Sequence, residues 1–213
     1  MNPLDTDNTT EPPTAKVWDW PVRVFHWTLA ASVLGAYFTG EAEDYELLHE
    51  TLGWVAAGLI AFRLVWGLIG TRYARFTEFV RGPAQVWAYI KSLRSDQPQH
   101  YVGHNPVGAV AVIVLMGLTV LSVYTGWLAL AKEAAEWLEE AHEIAAHALI
   151  AVVLVHVIGV LWSSRTHSEN LLKAMLTGRK AAPSEAGIHH NWGVLGLAIL
   201  LAVVWYVFVE LRG

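Results

Sequence analysis

The chain of 213 residues contains no cysteine. Disulfides, thiolate-held iron–sulfur clusters and covalently attached c-type haem all need thiols and are therefore excluded. Charge is scarce too: Asp, Glu, Lys and Arg supply 15% of the residues, where an ordinary soluble domain has about 25%. Residues 1–16, MNPLDTDNTTEPPTAK, have no apolar core that could serve as a signal peptide and read as a mobile tail. The net charge of -5 is too small to point to a nucleic acid partner. What is plentiful is apolar mass, at 54% of residues, together with 10 histidines and 11 tryptophans.

The apolar mass falls into five runs: Pro21 to Gly40, His49 to Gly70, Asn105 to Leu130, Glu140 to Trp162 and Trp192 to Leu211. About 20 apolar residues cross a hydrocarbon core of about 30 Å as a helix, and continuous runs exclude the alternation of a membrane barrel. The expected fold is an all-α integral membrane protein. It comprises a tail (1–16), a four-helix bundle (17–180), and a linker with a fifth C-terminal transmembrane helix (181–213).

Lys and Arg are unevenly shared among the loops. Arg72, Arg75, Arg81, Lys91 and Arg94 follow the second span, and Arg165, Lys173, Arg179 and Lys180 follow the fourth. The remaining loops carry Glu41, Glu43, Asp44 and Glu46, then Glu133, Glu136, Glu139 and Glu140 against Lys132. The positive-inside rule then predicts a cytoplasmic N-terminus, with the acidic loops and the C-terminus facing out. Trp18, Trp20, Trp66, Trp162 and Trp192 are expected in an inner aromatic belt, with Trp127 and Trp137 in the outer one. Pro83 could start a short interfacial helix with Val86, Ile90 and Leu93 on one side and Trp87 and Tyr89 flanking.

Depth arithmetic sorts the histidines. His142 and His156 are 14 residues apart on one span, so they share a face to within about 40° and are separated by about 21 Å. His49 starts the second span at the same outer level as His142. His26, near the start of the oppositely directed first span, meets His156 at the inner level. Two histidine pairs stacked across the bilayer, without cysteine or carboxylate between them, suit haem iron with two axial imidazoles. This gives two noncovalent, bis-His haem b groups; a transported metal ion or a proton relay is the other use of such histidines. His147 faces away from both pairs and reads as a helix-contact or partner-facing residue.

Arg63, 14 residues after His49, projects at inner depth, where haem propionates would need a cation. Arg23, one turn before His26, could do the same, and both could instead snorkel to lipid phosphates. Gly35, Gly53, Gly117 and Gly126 would let a flat macrocycle approach the backbone, and helix packing explains them equally well.

VWDWPVRVFHW (17–27), LHETLGW (48–54), FRLVWGLIG (62–70), GHNPVGA (103–109) and HEIAAHALIAVVLVH (142–156) occur in this order. Together they resemble the bacterial cytochrome b561 family, which includes the b-type cytochrome subunits of nickel–iron hydrogenases. The resemblance implies a four-helix bundle with two b haems that moves electrons between quinone and a redox partner. Carried over by position, His26 and His156 would ligate the inner haem and His49 and His142 the outer one. His104 would be offered to a propionate or quinone, or else to capping or interfacial hydrogen bonds. The fifth span is extra to the four-helix core, and His189 and His190 before it read as interfacial or partner-docking residues.

The expected function is a diheme b-type cytochrome of the respiratory chain, an electron-transfer subunit or quinone oxidoreductase. Expected partners are membrane lipid, quinone and a periplasmic or membrane-bound redox protein such as a c-type cytochrome or a hydrogenase; a homodimer is allowed. Glu50 and Glu143, each following a ligand candidate, could serve quinone protonation or only favour a helix start. A stand-alone superoxide:quinone oxidoreductase ranks second because acidic outer loops repel an anionic substrate. A metal-ion transporter ranks third because midplane carboxylates are missing.

Overall fold

A computed structural model describes residues 13–95, 97–131 and 135–212. Strand β1 (Thr14–Lys16) leads into α1 (Trp20–Thr39) and α2 (Glu46–Ile69). The short helices α3 (Phe76–Phe79) and α4 (Pro83–Ser92) connect to α5 (Pro106–Ala129) and α6 (Glu136–Thr166). Then come α7 (Leu171–Thr177), β2 (Arg179–Ala181) and α8 (Gly193–Glu210). Sequence-predicted residues 1–12, Lys132 and Glu133 lie outside the described residues.

Helix starts follow local chemistry. The Asp19 carboxylate accepts from Val22 N at 2.8 Å just ahead of Pro21, and Asn105 accepts from Gly108 N at 2.7 Å just ahead of Pro106. In each case a short polar side chain takes up an unpaired amide, and a proline without an amide occupies the first turn.

Among the described residues, four helical segments are long and apolar enough to cross a membrane: Glu43–Ile69, Pro106–Ala129, Glu136–Thr166 and Gly193–Glu210. The chain is thus an all-α, multi-pass membrane protein. Helix α1, the first of the five expected spans, is long enough at 20 residues, but Arg23 and His26 make it more polar than the others. It lies in the bundle, packed on α2 and α8.

The helices form two hairpins, α1 with α2 and α5 with α6, joined through contact of α2 with α5. Helix α8 covers the first hairpin. That approach depends on Gly196, where a Cβ would come within 2.9 Å of Trp20 Cβ and 3.1 Å of its carbonyl carbon. Phe25, Val55, Leu59, Ile60 and Met116 fill the middle of the bundle, and Val17, Trp18, Val22, Trp66, Tyr73 and Ala74 close its basic end.

Two expectations need correction. The tail does not extend to residue 16: β1 pairs antiparallel with β2, Ala15 opposite Lys180, and Ala15 is buried. Pairing satisfies backbone groups that polar composition alone suggested would be solvated. Nor are Trp18 and Trp66 belt residues, being only 6% and 5% exposed. The Trp66 indole donates to Asp19 Oδ2 at 3.0 Å, so its N–H is satisfied inside the protein and needs no interface. Trp20, Trp127, Trp137, Trp162 and Trp192 are exposed.

Candidate functional site

At the acidic end, the two hairpins leave a cavity of about 250 Å³, lined by residues of α1, α2, α5 and α6 that include His49 and His142. The two imidazole centres are 5.9 Å apart with planes at 88°. Each ring is oriented from behind: His49 Nδ1 lies 2.8 Å from the Ala36 carbonyl oxygen, and His142 Nδ1 lies 2.8 Å from that of Ser122. A backbone carbonyl accepts only, so each Nδ1 carries a proton and Nε2 is the nitrogen left available to a ligand. This is the tautomer required of a metal-binding imidazole with a second-layer support. Gly126 admits the His142 ring, since a Cβ there would stand 2.9 Å from His142 Cε1. Glu50 and Glu139 also line the cavity. Gly35 abuts Leu52, while Gly53 and Gly117 have open space where a side chain would be.

At the basic end lies a second cluster. His104 is held between Trp18 and Phe79, with ring centres 4.7 Å from each. Desolvation pushes its imidazole down to about 3, aided by the nearby charges of Arg63 and Lys180 and by His156 and His26. His104 is therefore neutral. Arg63 is 3% exposed and stacks on Phe76 at 4.9 Å and Phe79 at 5.9 Å; it does not snorkel. Among the described residues, four buried side-chain nitrogens lack a hydrogen-bond partner, and three belong to this cluster: His26 Nδ1, Arg63 Nη1 and His104 Nδ1. Buried polar atoms are almost always satisfied, so three orphans together mark a place built for a polar or metal-bearing guest.

The donor chemistry at both ends fits haem: imidazoles for iron, and at the basic end a guanidinium for carboxylates. Among the described residues no group of three or more His, Asp or Glu side chains is arranged to hold a bare metal ion. The sequence profile of one family, described as prokaryotic cytochrome b561, matches residues 17–178.

The chain belongs to the prokaryotic cytochrome b561 family.

Among relatives of this cytochrome b561 is a probable Ni/Fe-hydrogenase B-type cytochrome subunit of Bradyrhizobium diazoefficiens. It is 22% identical, with 79% of this chain and 86% of the relative aligned. The protein of the same description from Azotobacter vinelandii is 26% identical over 76% of this chain and 86% of its own length. The probable Ni/Fe-hydrogenase 1 B-type cytochrome subunit of Escherichia coli K12 is 26% identical over 52% and 58%. No solved structure matches the chain. Family membership makes this a membrane b-type cytochrome that works in electron transfer and takes haem b.

Arg23 is redirected in this b561 fold. Its guanidinium donates to the carbonyls of Met175 and Leu176 and stacks on Trp20 at 5.0 Å, capping α7 instead of reaching a propionate. The last turn of a helix leaves carbonyls unpaired, and α7 brings them beside α1. His147 is more than half exposed, 2.9 Å from Glu143 O and edge-on to Tyr37 of α1. His189 and His190 are exposed.

Two buried features escaped the sequence reading. Asp19, fully buried, accepts from Thr71 Oγ1 at 2.6 Å as well as from Trp66 and Val22, which ties the start of α1 to the end of α2. The Asp–Trp–Pro order at 19–21 was the available signal for a cap. Lys180, 5% exposed, pairs with Glu169 at 3.2 Å and donates to Tyr101 O at 3.2 Å. Desolvation lowers its ammonium and Glu169 partly restores it. Nothing in its spacing from Glu169 announced that pairing.

Proposed function

We propose that this cytochrome holds two haem b groups noncovalently, one between His49 and His142 at the acidic end and one between His26 and His156 at the basic end. It passes electrons across the bacterial inner membrane between the quinone pool and a redox partner protein. When bound, the haems supply one-electron carriers at two depths, which divides the crossing into two shorter transfers. The observation that carries this reading is the His49–His142 pair, with rings 5.9 Å apart, both Nδ1 atoms tied to carbonyls and a cavity beside them. Two imidazoles sharing one metal have centres roughly 6 Å apart, given metal–nitrogen distances of about 2 Å.

The chain's own residues supply binding, orientation and charge. The Ala36 and Ser122 carbonyls hold the outer imidazoles in one tautomer and raise their basicity. Arg63 and His104 present unpaired N–H groups to propionate carboxylates at the basic end. Trp18, Phe76 and Phe79 keep water from that cluster. Residues 17–180 form the haem-binding domain, and α8 braces it at Trp20.

The excess of Lys and Arg at the basic end supports placing the N-terminus in the cytoplasm and the C-terminus in the periplasm. The partner then docks at the acidic periplasmic end, and the hydrogenase subunits named among the relatives favour a hydrogenase there over a c-type cytochrome.

The quinone assignment is tested by adding a soluble quinol to the oxidised chain in proteoliposomes. The expected result is b-type reduction of both haem populations; a chain that dithionite reduces and no quinol does would remove the quinone pool from this account.

A further inference from the structure

Between α4 and α5 at the basic end runs a groove of about 270 Å³, walled by Val86 and Ile90 of α4 and Val110 of α5 and completed by Arg81 and Trp87. Among the described residues, none of the salt bridges near it involves Arg81. The Glu78 carboxylate is engaged by Arg72 at 3.4 Å and Arg75 at 3.8 Å. The Arg81 guanidinium donates to the Glu78 backbone oxygen at 2.7 Å, which orients it without cancelling its charge. Trp87 is 59% exposed, with the Lys91 ammonium 5.7 Å above its ring.

The groove continues onto the outer face of α5. Val110, Val114, Gly117 and Leu121 are all exposed. At about 100° per residue they lie within about 60° of one another, and the stripe runs about 16 Å along the helix. That length matches an acyl chain, and the small Gly117 leaves a shallow channel midway.

We propose that this groove is a binding site for one anionic phospholipid. The phosphate pairs with the forked N–H groups of Arg81, Trp87 sits at headgroup level, Val86 and Ile90 cover the glycerol region, and one acyl chain follows the α5 stripe. Cations beside an apolar cleft between an interfacial helix and a spanning helix complement a negative headgroup joined to a hydrocarbon chain. A soluble anion would satisfy only the arginine, and a zwitterionic lipid would place its own cation beside it.

Native mass spectrometry of the haem-loaded full chain, released from detergent with phosphatidylglycerol or phosphatidylcholine of identical acyl chains, tests this. Phosphatidylglycerol should be retained about fivefold over phosphatidylcholine, and Arg81→Gln should abolish that preference. Val110→Trp, which fills the groove without altering charge, should reduce retention of both lipids. Lys173→Gln, on α7 outside the groove, should change nothing. Equal retention of the two lipids, an equal loss with Lys173→Gln, or no effect of Val110→Trp would overturn the proposal. So would displacement of phosphatidylglycerol by inorganic phosphate, which would identify a headgroup-only site.

Discussion

The two ends of the bundle handle their histidines in opposite ways. At the acidic end both imidazoles have their Nδ1 atoms paired with carbonyls, beside a cavity whose lining carboxylates are Glu50 and Glu139. At the basic end His26, His104 and Arg63 each keep a buried nitrogen without a partner, and the charges acting on His104 are those of Arg63 and Lys180. The protein itself orients both imidazoles at the acidic end. At the basic end the protein leaves three buried nitrogens unpaired, and a buried polar group without a partner costs about 1–3 kcal/mol.

The sharpest break of this comparison is removal of a ligand at one end. His142→Ala should eliminate the acidic-end haem and spare the other, and His156→Ala should do the reverse, each halving the haem absorbance per chain. Loss of both haems from either variant would show that the ends are not independent.

Haem removal should separate the ends next. Amide hydrogen exchange should accelerate at least tenfold around the starts of α1 and α5, where orphaned groups are then left to water. The Ser122–Leu130 turns should change much less. Uniform acceleration would erase the distinction between the two ends.

Smaller effects should appear in the midpoint potentials. Arg63→Gln removes a buried cation that disfavours the oxidised iron, so the basic-end potential should fall by about 1–2 kcal/mol, roughly 40–90 mV for one electron. The acidic-end potential should hold. Glu50→Gln removes a partly exposed anion, and the acidic-end potential should rise by only about 20 mV because solvent screens it. Potentiometric titration of each variant reads both values at once.

The spanning helices were legible in the sequence to within a few residues, since apolar length and proline-preceded caps are local properties. Stacking of the histidines was legible as well, because helix pitch turns spacing into depth. The structure accordingly brings His49 to His142 and gathers His26, His156, His104 and Arg63 at the other end. What stayed hidden depends on contacts between distant segments. Asp19 meets Trp66 and Thr71 across 47 and 52 residues, and no periodicity encodes that. Arg23 turned to α7 because unpaired carbonyls arrive 152 residues later in the chain. The same cause pulled Trp18 and Trp66 inward: a tryptophan at interfacial depth faces lipid or protein according to what packs on it.

The central claim is that one chain carries two haem sites of differing construction. It is tested most directly by the pyridine haemochrome content of the purified protein, measured with its dithionite-reduced minus oxidised spectrum. The account predicts b-type bands at two haems per chain, all extractable by acid acetone because no thiol holds them. A single haem, or none, would contradict it.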